Sequence, residues 1–121
     1  VNLPFVDPKN LPKPKEEIKI ESLRAEVYPD RWRLKVNIDV TPFLVRPNLA
    51  LALIKEGGAE MAGSASIIET MHRNMEFTLH IRPPGDPAGR YTLKARLYFE
   101  AGFDQPNDET QIEIIVPPAE S

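Results

Sequence analysis

The stretch from Pro84 to Phe99 constrains the fold more than any other part of this sequence. Its first half, Pro84-Gly85-Asp86-Pro87-Ala88-Gly89, consists of turn formers. Its second half alternates: Tyr91, Leu93, Ala95, Leu97 and Phe99 fall on one side, with Thr92, Lys94, Arg96 and Tyr98 between them. Successive side chains of a strand point to opposite faces, so the pattern predicts a strand with one buried and one wet face. A turn-rich corner feeding such a strand is how an antiparallel β-sandwich passes from one sheet to the other.

The same period recurs along the chain. Ile18, Ile20, Leu23, Ala25 and Val27 predict a first strand, with a slip of phase between Ile20 and Leu23. A bulge, or a strand that changes sheets, produces such a slip. After the turn Tyr28-Pro29-Asp30, Trp32, Leu34, Val36, Ile38 and Val40 alternate with Arg31, Arg33, Lys35, Asn37 and Asp39, which places Trp32 in the core. Pro42 and Pro47 end that strand. Leu49, Leu51 and Leu53 begin the next, and Glu56-Gly57-Gly58-Ala59 predicts a two-residue hairpin turn with positive φ.

The return from Glu60 to Ile68 is poorly patterned. Ile67, Ile68, Met71 and Met75 have the spacing of an amphipathic helix, whereas Gly63, Ser64 and Ser66 oppose one. Strand followed by loop is the preferred reading. Met75, Phe77, Leu79 and Ile81 then alternate with Glu76, Thr78, His80 and Arg82. A polar loop is expected from Ala101 to Glu109, and Ile112, Ile114 and Val116 form the last strand before Pro117-Pro118. The fold class is therefore all-β: a two-sheet antiparallel sandwich of seven to eight strands. Thirteen prolines in 121 residues, about twice the usual ~5%, also oppose long helices.

Residues 1–15, with Pro4, Pro8, Pro12 and Pro14, read as a proline-rich extended arm or linker. The sandwich is expected over 16–117, with 118–121 as a tail. This length suits one domain that folds without staples. Because the chain begins at Val1 rather than Met, a processed protein or an excised fragment is expected.

The segment Gly89-Arg90-Tyr91-Thr92-Leu93 resembles the tyrosine corner of immunoglobulin-like sandwiches. The resemblance implies that the Tyr91 hydroxyl bonds back to the corner's backbone. It also implies that Leu93 fills the position of the second cysteine in those domains. Trp32, on the second predicted strand, is more similar to the fibronectin type III arrangement. Gly89, Tyr91 and Leu93 are thus the structural corner. The corner is similar to that of many bacterial immunoglobulin-like accessory domains, which implies a spacer, or a protein- or glycan-binding module, within a longer surface or envelope protein.

Composition excludes several chemistries. With no cysteine, disulfides, thiolate nucleophiles and Cys-ligated metals are impossible. A net charge of −3 and a pI of 5.4 give no basic footprint for nucleic acid. No apolar run approaches the ~20 residues of a membrane span. His72 and His80 read as surface histidines without metal-ligand spacing. Ser64 and Ser66 have no base at motif spacing. Asp104, Asn107, Asp108 and Glu109, with Glu100 nearby, hold calcium-type oxygens, but their spacing fits no calcium loop and Pro106 interrupts it. No catalytic residue, metal or cofactor is expected.

Recognition is expected at loop tips, namely Phe103, Asp104, Asn107, Asp108 and Glu109 in the last loop, and the tip Gly57-Gly58. Arg33 and Lys35 are expected to face Glu76, and Lys94 and Arg96 to face Glu113. Tyr98, out of phase with the core, is expected to be exposed. The resulting expectation is a non-catalytic protein-interaction or spacer module of a larger bacterial surface, envelope or secreted protein. Its partner would be an unknown protein or other domains of its own chain, with weak self-association through a sheet edge. The alternative is a carbohydrate-binding module using Trp32, Tyr28, Phe43, Tyr98 and Phe103 as stacking rings. An extracellular or envelope location is favoured.

Overall fold

The computed structural model describes residues 11–58, 61–83, 85–99 and 106–119. Among these residues seven strands follow one another: β1 (Ile20–Val27), β2 (Arg33–Val40), β3 (Asn48–Lys55), β4 (Met61–Ile67), β5 (Asn74–His80), β6 (Gly89–Tyr98) and β7 (Asp108–Val116). They form two antiparallel sheets, ordered β1-β2-β5 and β4-β3-β6-β7. One turn of 3-10 helix at Lys15–Glu17 precedes them. The helical alternative around Ile67 fails because β4 pairs with β3 from Met61 to Ile67. Gly63, Ser64 and Ser66 favour that choice, being poor helix formers.

The core lies between the sheets. Leu34, Val36, Ile38, Val40 and Leu79 of the first sheet face Leu49, Leu51, Leu53, Leu93, Ala95 and Leu97 of the second. The hydrophobic alternation read from β2 and β6 is thus what each sheet buries. The phase slip in the first strand is a register shift between Ile20 and Ser22. A second shift lies between Leu53 and Ile54, where β3 meets β4.

The flanks of the sandwich are tied by backbone groups. On one flank the Ile20 N–H donates to Asp108 Oδ2 at 2.8 Å. On the other, the Arg82 N–H donates to Ala62 O at 2.7 Å. Residues 11–19 run as a strap: Lys13 N–H donates to Pro42 O at 2.8 Å, and Asn107 Nδ2 donates to Lys15 O and Ile18 O. Ile18, expected on the first strand, precedes it but is buried all the same.

Several expectations need correction. Trp32 is 45% exposed, not core. β2 begins at Arg33, and Arg31 adopts a φ of 67°, so the chain is still turning at Trp32 and the buried series starts at Leu34. Tyr98 is buried, not exposed. It lies opposite Asn48 near the end of β6, and Asn48, buried as well, accepts the Glu69 N–H on its Oδ1.

The Gly57-Gly58 tip is not a two-residue hairpin turn. Gly58 N–H donates to Lys55 O across Glu56-Gly57, and β4 resumes only at Met61. The last polar loop is shorter than expected, since β7 starts at Asp108. Lys94 lies opposite Gln111, and Arg96 pairs with Glu109 at 2.8 Å rather than with Glu113, which pairs with Arg90. Lys35 does reach Glu76, at 3.7 Å.

Candidate interaction surface around Trp32

The turn between β1 and β2 follows from its residues. Pro29 has the fixed φ suited to the second position of a β-turn, and the Arg31 N–H donates to Tyr28 O at 2.9 Å to close it. Asp30 then bonds its own backbone two residues on: Oδ1 accepts the Trp32 N–H at 3.0 Å. Oδ2 accepts from Arg33 Nε at 2.8 Å. The Trp32 N–H first, and the Arg33 guanidinium second, hold the Asp30 carboxyl below its ordinary 3.8. The Arg33 guanidinium also sits over the Tyr28 ring at 4.4 Å.

Arg31 ties this turn to the rest of the pole. A left-handed φ is uncommon for a residue with a Cβ. It accompanies a side chain that donates to Pro117 O at 3.0 Å and to Asp86 Oδ1 at 3.3 Å. Asp86 Oδ1 also accepts the Ala88 N–H at 2.8 Å. That N–H first, and Arg31 second, lower the Asp86 carboxyl below 3.8. Finally, the Ile81 N–H donates to Trp32 O at 2.8 Å. Trp32 is therefore a large half-exposed ring whose backbone is held on both sides, the arrangement of a pre-ordered interface anchor.

The corner stands beside it. Gly89 opens β6 opposite Val116, and Leu93 is fully buried opposite Leu53 and Ile112. The Tyr91 ring is fully buried and its hydroxyl donates to Pro87 O at 2.5 Å. Burial first, and the Asp86 charge second, push the phenol above 10.0, so it remains a donor. Lys55 Nζ lies 5.9 Å from the same ring and donates to Asp86 O.

The residues expected at the recognition loop are placed differently. Asn107 holds the strap, Asp108 holds Ile20, and Glu109 pairs with Arg96 on the sheet's outer face. Phe103 and Asp104 lie outside the described residues. Gly57 and Gly58 are exposed at the same pole as Trp32. His80 is exposed on β5, and His72 is exposed in the β4–β5 connection. Among the described residues no group of three or more His, Cys, Asp or Glu side chains is arranged to hold a metal ion.

What sequence reasoning missed here is the exposure of Trp32. The available signal was Pro29-Asp30, two residues upstream, whose turn chemistry extends through position 32.

No protein-family model and no curated protein matches the chain. Solved structures do. A β-glucuronidase from Bifidobacterium dentium, complexed with coumarin-3-O-glucuronide, matches 82% of this chain at a TM-score of 0.57 and 14% identity. A glycosyl hydrolase family 2 member from Bacteroides cellulosilyticus matches 82% at 0.56 and 14%. A β-glucuronidase from Ruminococcus gnavus matches 83% at 0.50 and 16%. The chain spans 18%, 15% and 16% of these structures, respectively. At such identities the likeness concerns the fold: the chain is an immunoglobulin-like β-sandwich that resembles a small part of much larger proteins.

Proposed function

We propose that this chain is a non-catalytic accessory domain of a larger carbohydrate-active protein of the bacterial surface, envelope or secreted kind. It docks a neighbouring domain or protein through the pole around Trp32. The observation that carries this reading is the half-exposed Trp32 ring on a backbone held by Asp30 and Ile81. Rigid aromatic anchors lose little conformational freedom on binding and concentrate interface energy. The small share of the matched hydrolases covered by this chain supports an accessory role.

The test is a photo-crosslinking residue at position 32, with Gln111, exposed on β7, as control. Capture of a defined polypeptide in the native cell from position 32 alone is the expected result. Equal capture from both positions would refute the docking role.

The same ring supports a second reading, stacking on a sugar. Its companions are few: Tyr28 is covered by Arg33, and Tyr98 is buried. A saturable shift of Trp32 emission with a soluble polysaccharide would favour the sugar reading over protein docking.

A further inference from the structure

Of the four marginal strands, β5 is the least guarded. β1 carries a bulge and lies along β7, which covers both. β4 has a register shift and is pinned through Ala62 O. β5 pairs with β2 without a break from Asn74 to His80, and among the described residues no strand pairs with its other side. Its sequence, Asn74-Met75-Glu76-Phe77-Thr78-Leu79-His80, has no proline, lysine or bulge, the usual devices that blunt a margin.

Beside this margin lies a cleft of ≈ 460 Å³ bordered by Ile67, Ile68, Met71, Met75 and Phe77. Ile68 and Met71 are 67% and 68% exposed. Met75 and Phe77 are only partly buried, whereas Leu79, near the end where Arg82 meets Ala62, is 2% exposed. The inner face of β5 is thus more open away from that contact. Topology accounts for the opening. In constant-type immunoglobulin domains the fourth strand completes the first sheet beside the fifth. Here β4 pairs with β3 in the other sheet and meets β5 at its His80 end, through Gly63 against His80 O and Ala62 O bonded to the Arg82 N–H, which leaves the margin from Asn74 to Phe77 without a paired strand among the described residues.

We propose that the β5 margin accepts an extended segment of another polypeptide as an added strand. Its apolar side chains, at alternate positions, enter the cleft over Met75 and Phe77. Its outward positions carry Lys or Arg, because Glu69 and Glu76 border the cleft. Glu76 is only loosely paired with Lys35, at 3.7 Å. Main-chain hydrogen bonds supply the affinity and the alternate side chains the specificity. This site is separate from the Trp32 pole and stands or falls independently of it.

The probe is a short synthetic peptide that alternates valine with lysine and threonine, and a twin in which glutamate replaces lysine. Amide exchange is followed by NMR on the whole chain. The lysine peptide is expected to bind saturably and to slow exchange of β5 amides roughly tenfold, leaving β7 unchanged. Glu76→Lys, an exposed substitution, is expected to weaken the lysine peptide about threefold and strengthen its glutamate twin. Three outcomes would overturn the proposal: no slowing in β5 at saturating peptide, equal response to both peptides, or β5 protection that rises with the chain's own concentration. The last would make the occupant a second copy.

Discussion

Removing one oxygen tests the corner. Tyr91→Phe keeps the ring in the core but deletes the donor to Pro87 O. The expected loss is about 1 kcal/mol, one net buried hydrogen bond, read as a lower thermal midpoint. An unchanged midpoint would mean that the hydroxyl does not hold the corner. Adding one carbon tests the β4 flank. A Cβ on Gly63 would meet His80 O at 2.7 Å, a backbone atom that cannot swing away. Gly63→Ala is expected to cost roughly 1–3 kcal/mol, as overpacking does. Wild-type stability in that variant would show that the two strands do not approach so closely. Tyr91 and Leu93 were legible in the sequence because alternation reports which face a residue occupies. Trp32 was not, because alternation does not report where the facing sheet ends. Tyr98 failed for the converse reason: it is out of phase with the core yet buried, and alternation does not report what covers an outward position at the end of a strand.

Elements hold together here through single side chains at their ends. The strap of residues 11–19 is held by Asn107, just before β7, and the first residue of β1 by Asp108, the first of β7. Asp108→Ala removes the acceptor of the Ile20 N–H and is expected to cost about 1–2 kcal/mol. Tryptic cleavage after Lys15 or Lys19 should speed up in that variant, and an unaltered cleavage rate would contradict the latch. The β1–β2 turn depends instead on ionised Asp30 and Asp86. Both carboxyls titrate below their ordinary 3.8 in the fold, so their support is complete above that value. It is lost as pH falls through the depressed values. Acrylamide quenching of Trp32 should therefore rise below about pH 4 before global unfolding. A flat quenching profile down to the unfolding transition would exclude these carboxylates as the turn's support. The turn's Pro-Asp chemistry was readable from the sequence. Its partners Asp86 and Pro117 were not, since they lie 55 and 86 residues away from Arg31. Register was similarly hidden: Arg96 meets Glu109 rather than Glu113, and the sequence of one strand carries no mark of its partner's phase.

At the scale of the whole molecule, both sheets depend on one shared core. β2 and β6 were the best-patterned strands, and each is central in its own sheet. Central strands are bonded on both sides and buried on one face, so they carry the cleanest period. Marginal strands pack on one side only, and β4, where a helix had to be weighed, is marginal. The same geometry makes stability collective. Leu93 is fully buried in the core from the second sheet, while Trp32 reports on the first from just before β2. Leu93→Ala is expected to cost about 2–5 kcal/mol through lost burial and the cavity it leaves. Because neither sheet has a core without the other, Trp32 fluorescence and far-ultraviolet dichroism should shift to the same lower midpoint. If the dichroism transition moved and the Trp32 transition stayed, the sheets would be unfolding separately, and the single shared core would have to be abandoned.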